Sequence, residues 1–167
     1  MYRQILLFLQ ELKKIIMKFT VSNLNKFLFF KLPSAYISGV RVKQIEANKC
    51  LVTVKHRWIN QNPFQSLYFA VQAMAAELTT GALVLIHIRK TGKNISMLVA
   101  NQNGSFSKKA KGRIYFKCVD GELVMDAIDK AVKTGEGQTV WLRSVGTNAS
   151  GETVSELQFE WTLKVKS

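Results

Sequence analysis

The stretch SLYFAVQAMAAELTTGALVLI, residues 66–86, decides how the rest of the chain is read. It is long enough for five or six helical turns and apolar on nearly every side, and such a helix belongs in the middle of a fold. One residue resists that placement. Glu77 is the only acid between Glu46 and Asp120, and a buried carboxylate is costly unless it is paired or hydrogen-bonded. At helical spacing it follows Ser66, Ala70 and Ala73 and precedes Gly81, all small side chains that leave room for another backbone or a ligand. Three roles are open to it. Glu77 pairs with a basic residue such as Arg57 or Arg89, or emerges at an edge; it is a general base or nucleophile whose pKa burial raises; or it binds a ligand without catalysis.

Working outward, the chain changes period several times. Upstream, Ser22 is the expected N-cap of a helix with Leu24, Phe27, Leu28 and Phe30 on its apolar face, stopped by Pro33. From Val40 the pattern alternates, and VRVKQIE and CLVTVKHR around Ala47-Asn48-Lys49 form a predicted hairpin. Downstream, ISMLVANQ and GRIYFKCV are predicted strands. ELVMDAIDKAV is a charged amphipathic helix closed by Gly135, and TVWLRSVGT and TVSELQFEWTLKVK form a last hairpin about Asn148-Ala149-Ser150-Gly151. This order predicts an α+β fold, an antiparallel sheet with the long helix covering one face. Residues 1–32 are read as a helical extension and residues 33–167 as the main domain.

Composition narrows the partners. With 167 residues and 47% hydrophobic side chains, the chain can bury roughly 68–70% of its unfolded surface and needs no staples. Cys50 and Cys118 stand far apart, without C-x-x-C or Cys/His spacing, so neither a disulfide framework nor a metal site is expected, and a cytoplasmic, reducing compartment is. The net charge of +13 is concentrated N-terminally, where residues 1–50 hold nine basic and two acidic side chains. Such a field favours anionic partners: nucleic acid, an acidic membrane or a phosphate-bearing small molecule. No glycine-rich phosphate loop follows a strand, so dinucleotide and nucleoside triphosphate folds are unsupported. Aromatic and basic residues do not interleave on a strand, so no nucleic acid is expected.

The N-terminus, MYRQILLFLQELKKIIMKF, lacks a cleavage site and a long enough apolar run for a signal peptide. No stretch reaches the ~18–20 uninterrupted apolar residues of a membrane span. Leu12, Ile15, Ile16 and Phe19, interspersed with lysines, describe an amphipathic helix. It packs on the domain or meets a membrane surface through residues 1–19, unless Met17 is the true start.

The stretch Asn62-Pro63-Phe64-Gln65-Ser66-Leu67-Tyr68, followed by Glu77, resembles the motif of the phenylacetyl-CoA thioesterase group within the hot-dog superfamily. In that motif Asn is followed by Gly three later, His three after that, and an acid nine further on. Asn62 and Glu77 match at the right spacing, whereas Gln65 and Tyr68 replace Gly and His. A neighbouring, poorly characterised hot-dog family with a loosened motif is closer still, and the similarity covers roughly Lys31 to Ser167. The resemblance implies a curved antiparallel sheet wrapped around one long helix, and acyl-CoA thioester hydrolysis with coenzyme A as part of the substrate and no separate cofactor. It implies Glu77 as base or nucleophile, Asn62 positioning water or substrate, and backbone N–H groups at the helix start receiving the oxyanion. It also implies a homodimer, or a tetramer built from it, with the active site at the interface.

Tyr68 either donates a hydrogen bond to the thioester carbonyl or packs with its hydroxyl at the surface. The run from Ser107 to Arg113 is either a solvated turn or, through Lys108, Lys109, Lys111 and Arg113, a contact for the coenzyme A phosphates. His56 and His87 are expected to be packed or solvated, and Trp58, Trp141 and Trp161 to pack in the core or an interface. The rival functions are a non-catalytic acyl-CoA or lipid-binding module and a basic peripheral protein that binds anionic lipid or nucleic acid.

Overall fold

The computed structural model describes residues 19–166, so the predicted N-terminal amphipathic helix and the alternative start at Met17 lie outside the described residues, apart from Phe19. Helix α1 (Val21–Lys31) is capped by Thr20, whose Oγ1 accepts the Asn23 N–H at 3.2 Å, two residues earlier than expected. Leu24 and Leu28 enter the core. Asn25 ties the helix to the sheet as a strand partner would: its Nδ2 donates to Val42 O and its Oδ1 accepts the Val42 N–H, both at 3.0 Å. Pro33 does not merely stop α1. It opens a short helix α2 (Pro33–Ile37) at a position where its missing N–H costs nothing.

Six strands form one antiparallel sheet: β1 (Arg41–Ile45), β2 (Cys50–Lys55), β3 (Ile95–Phe106), β4 (Arg113–Cys118), β5 (Gln138–Thr147) and β6 (Thr153–Val165). Their order is β1-β2-β4-β5-β6-β3. The hairpins β1–β2 and β5–β6 form as the alternation predicts. Strands β3 and β4 are consecutive but not neighbours. β3 pairs with β6 at one edge, and β4 lies between β2 and β5. The connection between them is strapped down on the way: Ser107 N–H donates to Val154 O at 2.9 Å, and Ala110 O accepts the Leu67 N–H at 2.8 Å. Helix α4 (Gly121–Thr134) ends at Gly135, whose φ of 73° suits glycine, and buries Val124, Ile128 and Ala131.

The long helix α3 (Phe69–Lys90) packs against β1, β2, β4, β5 and β6, so the sheet wraps around it in the hot-dog arrangement. It starts three residues later than its sequence pattern because the preceding amides are committed elsewhere. Leu67 N–H bonds to Ala110 O and Tyr68 N–H to Asn60 O, which holds Leu67 and Tyr68 extended. With a mean hydropathy of 1.6, α3 is by length and composition long and apolar enough to cross a membrane, contrary to the reading from uninterrupted runs. In this fold it is the core helix, mostly buried by the sheet.

Packing also places the tryptophan, histidine and cysteine side chains. Trp161 is in the core, but Trp58 is 83% exposed and Trp141 is exposed as well. His87 is packed, its Nε2 2.8 Å from Ala47 O. Cys50 and Cys118, far apart in sequence, are direct cross-strand partners; both are free, buried thiols, each pushed up to about 12 chiefly by desolvation.

Candidate functional site

Helix α3 has two unlike faces. Toward the sheet it is not purely apolar, since Gln72, Thr79, Thr80 and His87 are buried there. Each has a partner. Gln72 Nε2 donates to Leu67 O at 3.1 Å while its Oε1 accepts from Ser155 Oγ at 2.9 Å. Thr79 Oγ1 donates to Ala76 O at 2.7 Å and lies 2.9 Å from Ser144 Oγ, and Thr80 Oγ1 accepts the Trp161 indole N–H at 3.0 Å. These bonds fix the rotation of the helix in its wrap. Sequence reading missed them because Gln and Thr scattered at helical spacing look like interruptions rather than a network.

The other face is partly uncovered. Between Ala70 and Ile88 the half-buried residues are Ala70, Ala73, Met74, Glu77, Gly81 and Leu85. They recur at three- and four-residue spacing and so form a single stripe along the helix. Glu77 sits midway along it. A Cβ built on Gly81 would stand 3.2 Å from Glu77 Oε1 and 3.1 Å from the Trp161 ring, so the glycine leaves the space that the carboxylate occupies beside the indole.

Among the described residues Glu77 makes no ion pair and its carboxylate no hydrogen bond. Neither Arg57 nor Arg89 reaches it: Arg57 is exposed, and Arg89 lies over the Phe19 ring, 5.3 Å from its centroid. Among the described residues, then, Glu77 is not held in the structural ion pair that the sequence left open. Desolvation, with no compensating partner, raises the Glu77 pKa above its ordinary value of 4.5. Such a group is a stronger base than an exposed carboxylate, and it is half-buried rather than sealed in the core.

A second set of groups gathers at the start of α3. Asn62 Oδ1 accepts from the backbone N–H of Phe64 (3.0 Å) and Ser66 (3.2 Å) and from Ser66 Oγ (3.2 Å). The Asn thus braces a tight loop in which Gln65, at φ 57°, takes the left-handed conformation that glycine adopts freely. Gln65 stands where the resembled motif has Gly, so the glycine preference has a backbone cause. Tyr68, the N-cap residue, offers no side-chain cap; it is exposed and packs edge-to-face on Phe69, with centroids 4.9 Å apart. The N–H groups of Phe69 and Ala70 have no acceptor among the described residues. Two free donors at the positive end of a 22-residue helix suit an oxyanion.

Beside this helix start lies an open cleft of about 320 Å³, lined by Asn62, Ser66, Phe69, Gln72, Phe106 and residues 107–110. It brings Asn62 together with Lys108 and Lys109. Lys111 and Arg113 are exposed and do not line it. The four cations are not left without an anion, as Lys108 Nζ is 2.5 Å from Glu152 Oε1. Glu77 lies away from the cleft. At 1.5 Å per residue, its Cα is about 10–12 Å along the axis from the donors of Phe69 and Ala70. The backbone of Glu77 is thus about two turns of α3 from the helix start. No group of three or more His, Cys, Asp or Glu capable of holding a metal occurs among the described residues.

A family model described as "Domain of unknown function (DUF4442)" matches residues 22–163. No curated protein matches the chain. Among solved structures, a Pseudomonas aeruginosa protein of unknown function described as a probable thioesterase is similar at a TM-score of 0.74 and 23% identity, over 87% of this chain and 96% of that one. A Chlorobaculum tepidum protein of unknown function gives 0.74 at 16% identity, over 88% and 98%. A thioesterase from Haemophilus influenzae gives 0.66 at 13% identity, over 89% and 92%. At these identities the likeness establishes the hot-dog fold.

Proposed function

The chain belongs to the DUF4442 family, and we propose that it hydrolyses acyl thioesters, with coenzyme A as the carrier and Glu77 as the general base or nucleophile. The observation that carries this reading is the partnerless Glu77 carboxylate, desolvated on the open stripe of an otherwise satisfied core helix. The names borne by similar folds, several of them thioesterases, support the same reaction class.

In the proposed reaction, Glu77 takes a proton from water as the water attacks the thioester carbonyl; the tetrahedral intermediate collapses with cleavage of the C–S bond, and the proton held by Glu77 passes to the departing coenzyme A thiolate. As nucleophile, Glu77 would instead attack that carbon itself and expel the thiolate, leaving an acyl-enzyme anhydride that water hydrolyses. The negative charge on the carbonyl oxygen is received by the N–H donors of Phe69 and Ala70, where preorganised donors are most effective. The separation of about 10–12 Å along the helix favours a reading in which these two parts come from different chains. A homodimer in which two α3 helices run antiparallel and cross near Ala73, N-terminal to the middle of the stripe, would set Glu77 of one protomer beside the helix start of the other. Asn62 contributes by bracing the loop that presents those donors. Its Nδ2 is left to meet water or substrate, and Tyr68 has its hydroxyl free of any hydrogen bond among the described residues. Lys109, in the cleft with Asn62, is the best-placed cation for a coenzyme A phosphate; Lys108 shares its charge with Glu152, and Lys111 and Arg113 are peripheral.

One observation favours a second reading, a non-catalytic acyl-CoA-binding module. Tyr68 stands where the resembled motif has His, and Asn62 Oδ1 is fully used inside its loop. A panel of acyl-CoA substrates assayed by thiol release separates the two. Turnover on any member supports hydrolysis. Tight binding of acyl-CoA without turnover across the panel replaces it with the binding module.

A further inference from the structure

A surface that the proposed reaction does not use is the corner made by α1, α2 and the loop that carries Trp58. Exposed there are Trp58 (83%), Phe30 (73%), Ile37 (63%), Ile59 and Phe29. They lie along one connected path. Phe30 packs edge-to-face on Phe29, and Phe29 on Tyr36. Ile37 follows Tyr36, and the next carbonyl, of Ser38, accepts from Asn60 Nδ2 at 2.8 Å. Asn60 closes the single 3-10 turn Trp58–Asn60, and its Oδ1 accepts the Arg57 N–H at 2.7 Å.

The charge on this corner has one sign. Residues 19–45 and 55–69 contain Lys26, Lys31, Arg41, Lys43, Lys55 and Arg57 and no acid, and none of these cations has an ion pair among the described residues. Between α1 and α2 lies an open groove of about 540 Å³ lined by Lys26, Phe29, Phe30, Tyr36 and Arg41. Arg41 stacks on the Tyr36 ring at 3.5 Å and gives its Nη1 hydrogens to the carbonyls of Tyr36 and Val40, which holds its charge at the groove without neutralising it.

We propose that this corner docks on an anionic lipid bilayer, with Trp58, Phe30 and Ile37 entering the interface and the groove between Lys26 and Arg41 receiving a lipid phosphate. Exposed Trp and Phe beside cations match the composition that settles at the headgroup level. An anionic surface supplies what six unpaired cations lack. The aliphatic members, Ile37 and Ile59, are buried by acyl chains and have no stacking role on bases, which favours lipid over nucleic acid. The inference is independent of whether the chain hydrolyses thioesters and involves none of the groups assigned to that reaction.

The test uses the full chain and vesicles of phosphatidylglycerol mixed with phosphatidylcholine, against phosphatidylcholine alone. Co-sedimentation with the anionic vesicles only, accompanied by a blue shift of tryptophan emission, is the expected result. The double variant W58A/F30A should weaken binding at least ~10-fold. Its melting temperature should be unchanged, because both side chains are exposed. The single variant K26E should weaken binding separately and leave the Trp58 surface intact. Absence of binding to the anionic vesicles, or binding that neither variant alters, overturns the proposal. So does a fall in mass by light scattering in W58A/F30A with vesicle binding retained, which makes the corner a contact between copies. Binding to single-stranded RNA in place of vesicles overturns it as well.

Discussion

The two faces of helix α3 treat their polar groups in opposite ways, four on the face toward the sheet and one on the open stripe. On the face toward the sheet, Gln72, Thr79, Thr80 and His87 each have a hydrogen-bond partner. On the open stripe the group with the greatest need, the Glu77 carboxylate, has none among the described residues. A fold optimised only for stability would satisfy the carboxylate first, since an unpaired buried charge costs more than an unpaired hydroxyl. The contrast separates groups that hold the helix from the one group held ready by it.

The largest expected effect breaks the open face. Glu77→Gln keeps the shape and removes the base, so turnover should fall at least ~10²-fold; equal turnover in a steady-state assay removes Glu77 from the reaction. Breaking the closed face should do the reverse. Thr80→Val leaves the buried Trp161 indole N–H without its acceptor, which should cost ~1–3 kcal/mol in denaturant unfolding while changing turnover far less. If Thr80→Val abolishes turnover without loss of stability, the division of roles between the faces is wrong. A smaller effect probes the cleft at the helix start. Lys109→Ala should weaken coenzyme A binding about two- to five-fold at low salt, the size of an exposed charge contact. That difference should vanish near 1 M salt, where the Debye length is ~3 Å. Titration calorimetry at the two salt concentrations checks it, and a loss independent of salt assigns Lys109 a packing role instead.

Much of this arrangement is legible in the sequence, and the misses have physical causes. The long apolar run, the change to alternating patterns and the turn residues at 47–49 and 148–151 are local signals, and they yield the elements and both hairpins. The place of β3 is not local. Its pairing with β6 involves residues about 50–70 positions apart, and no period or turn encodes that. The cross-strand approach of Cys50 and Cys118 is hidden for the same reason. Glu77 stands out in the sequence because it is chemically alone, whereas Gln72 and Thr80 do not, because their partners Ser155 and Trp161 are remote in the chain. The start of α3 falls later than its pattern predicts because the bonds that hold Tyr68 extended are backbone bonds, which side-chain patterns do not reveal.

The central claim, that Glu77 is a desolvated carboxylate without a stabilising partner, is tested most directly by comparing the thermal stability of the parent and Glu77→Gln across pH. Desolvation raises the folded-state pKa above the ordinary 4.5. The folded state therefore binds the proton more tightly than the unfolded state, and the contribution of Glu77 to stability is greatest below the unfolded pKa and is lost as pH rises through the folded one. The account predicts that Glu77→Gln melts at a higher temperature than the parent at pH 8 and that the gain shrinks toward zero as the pH is lowered to about 4. A Glu77→Gln variant that melts lower than the parent at pH 8 would mean that the carboxylate is held by a partner in the folded protein, and would contradict it.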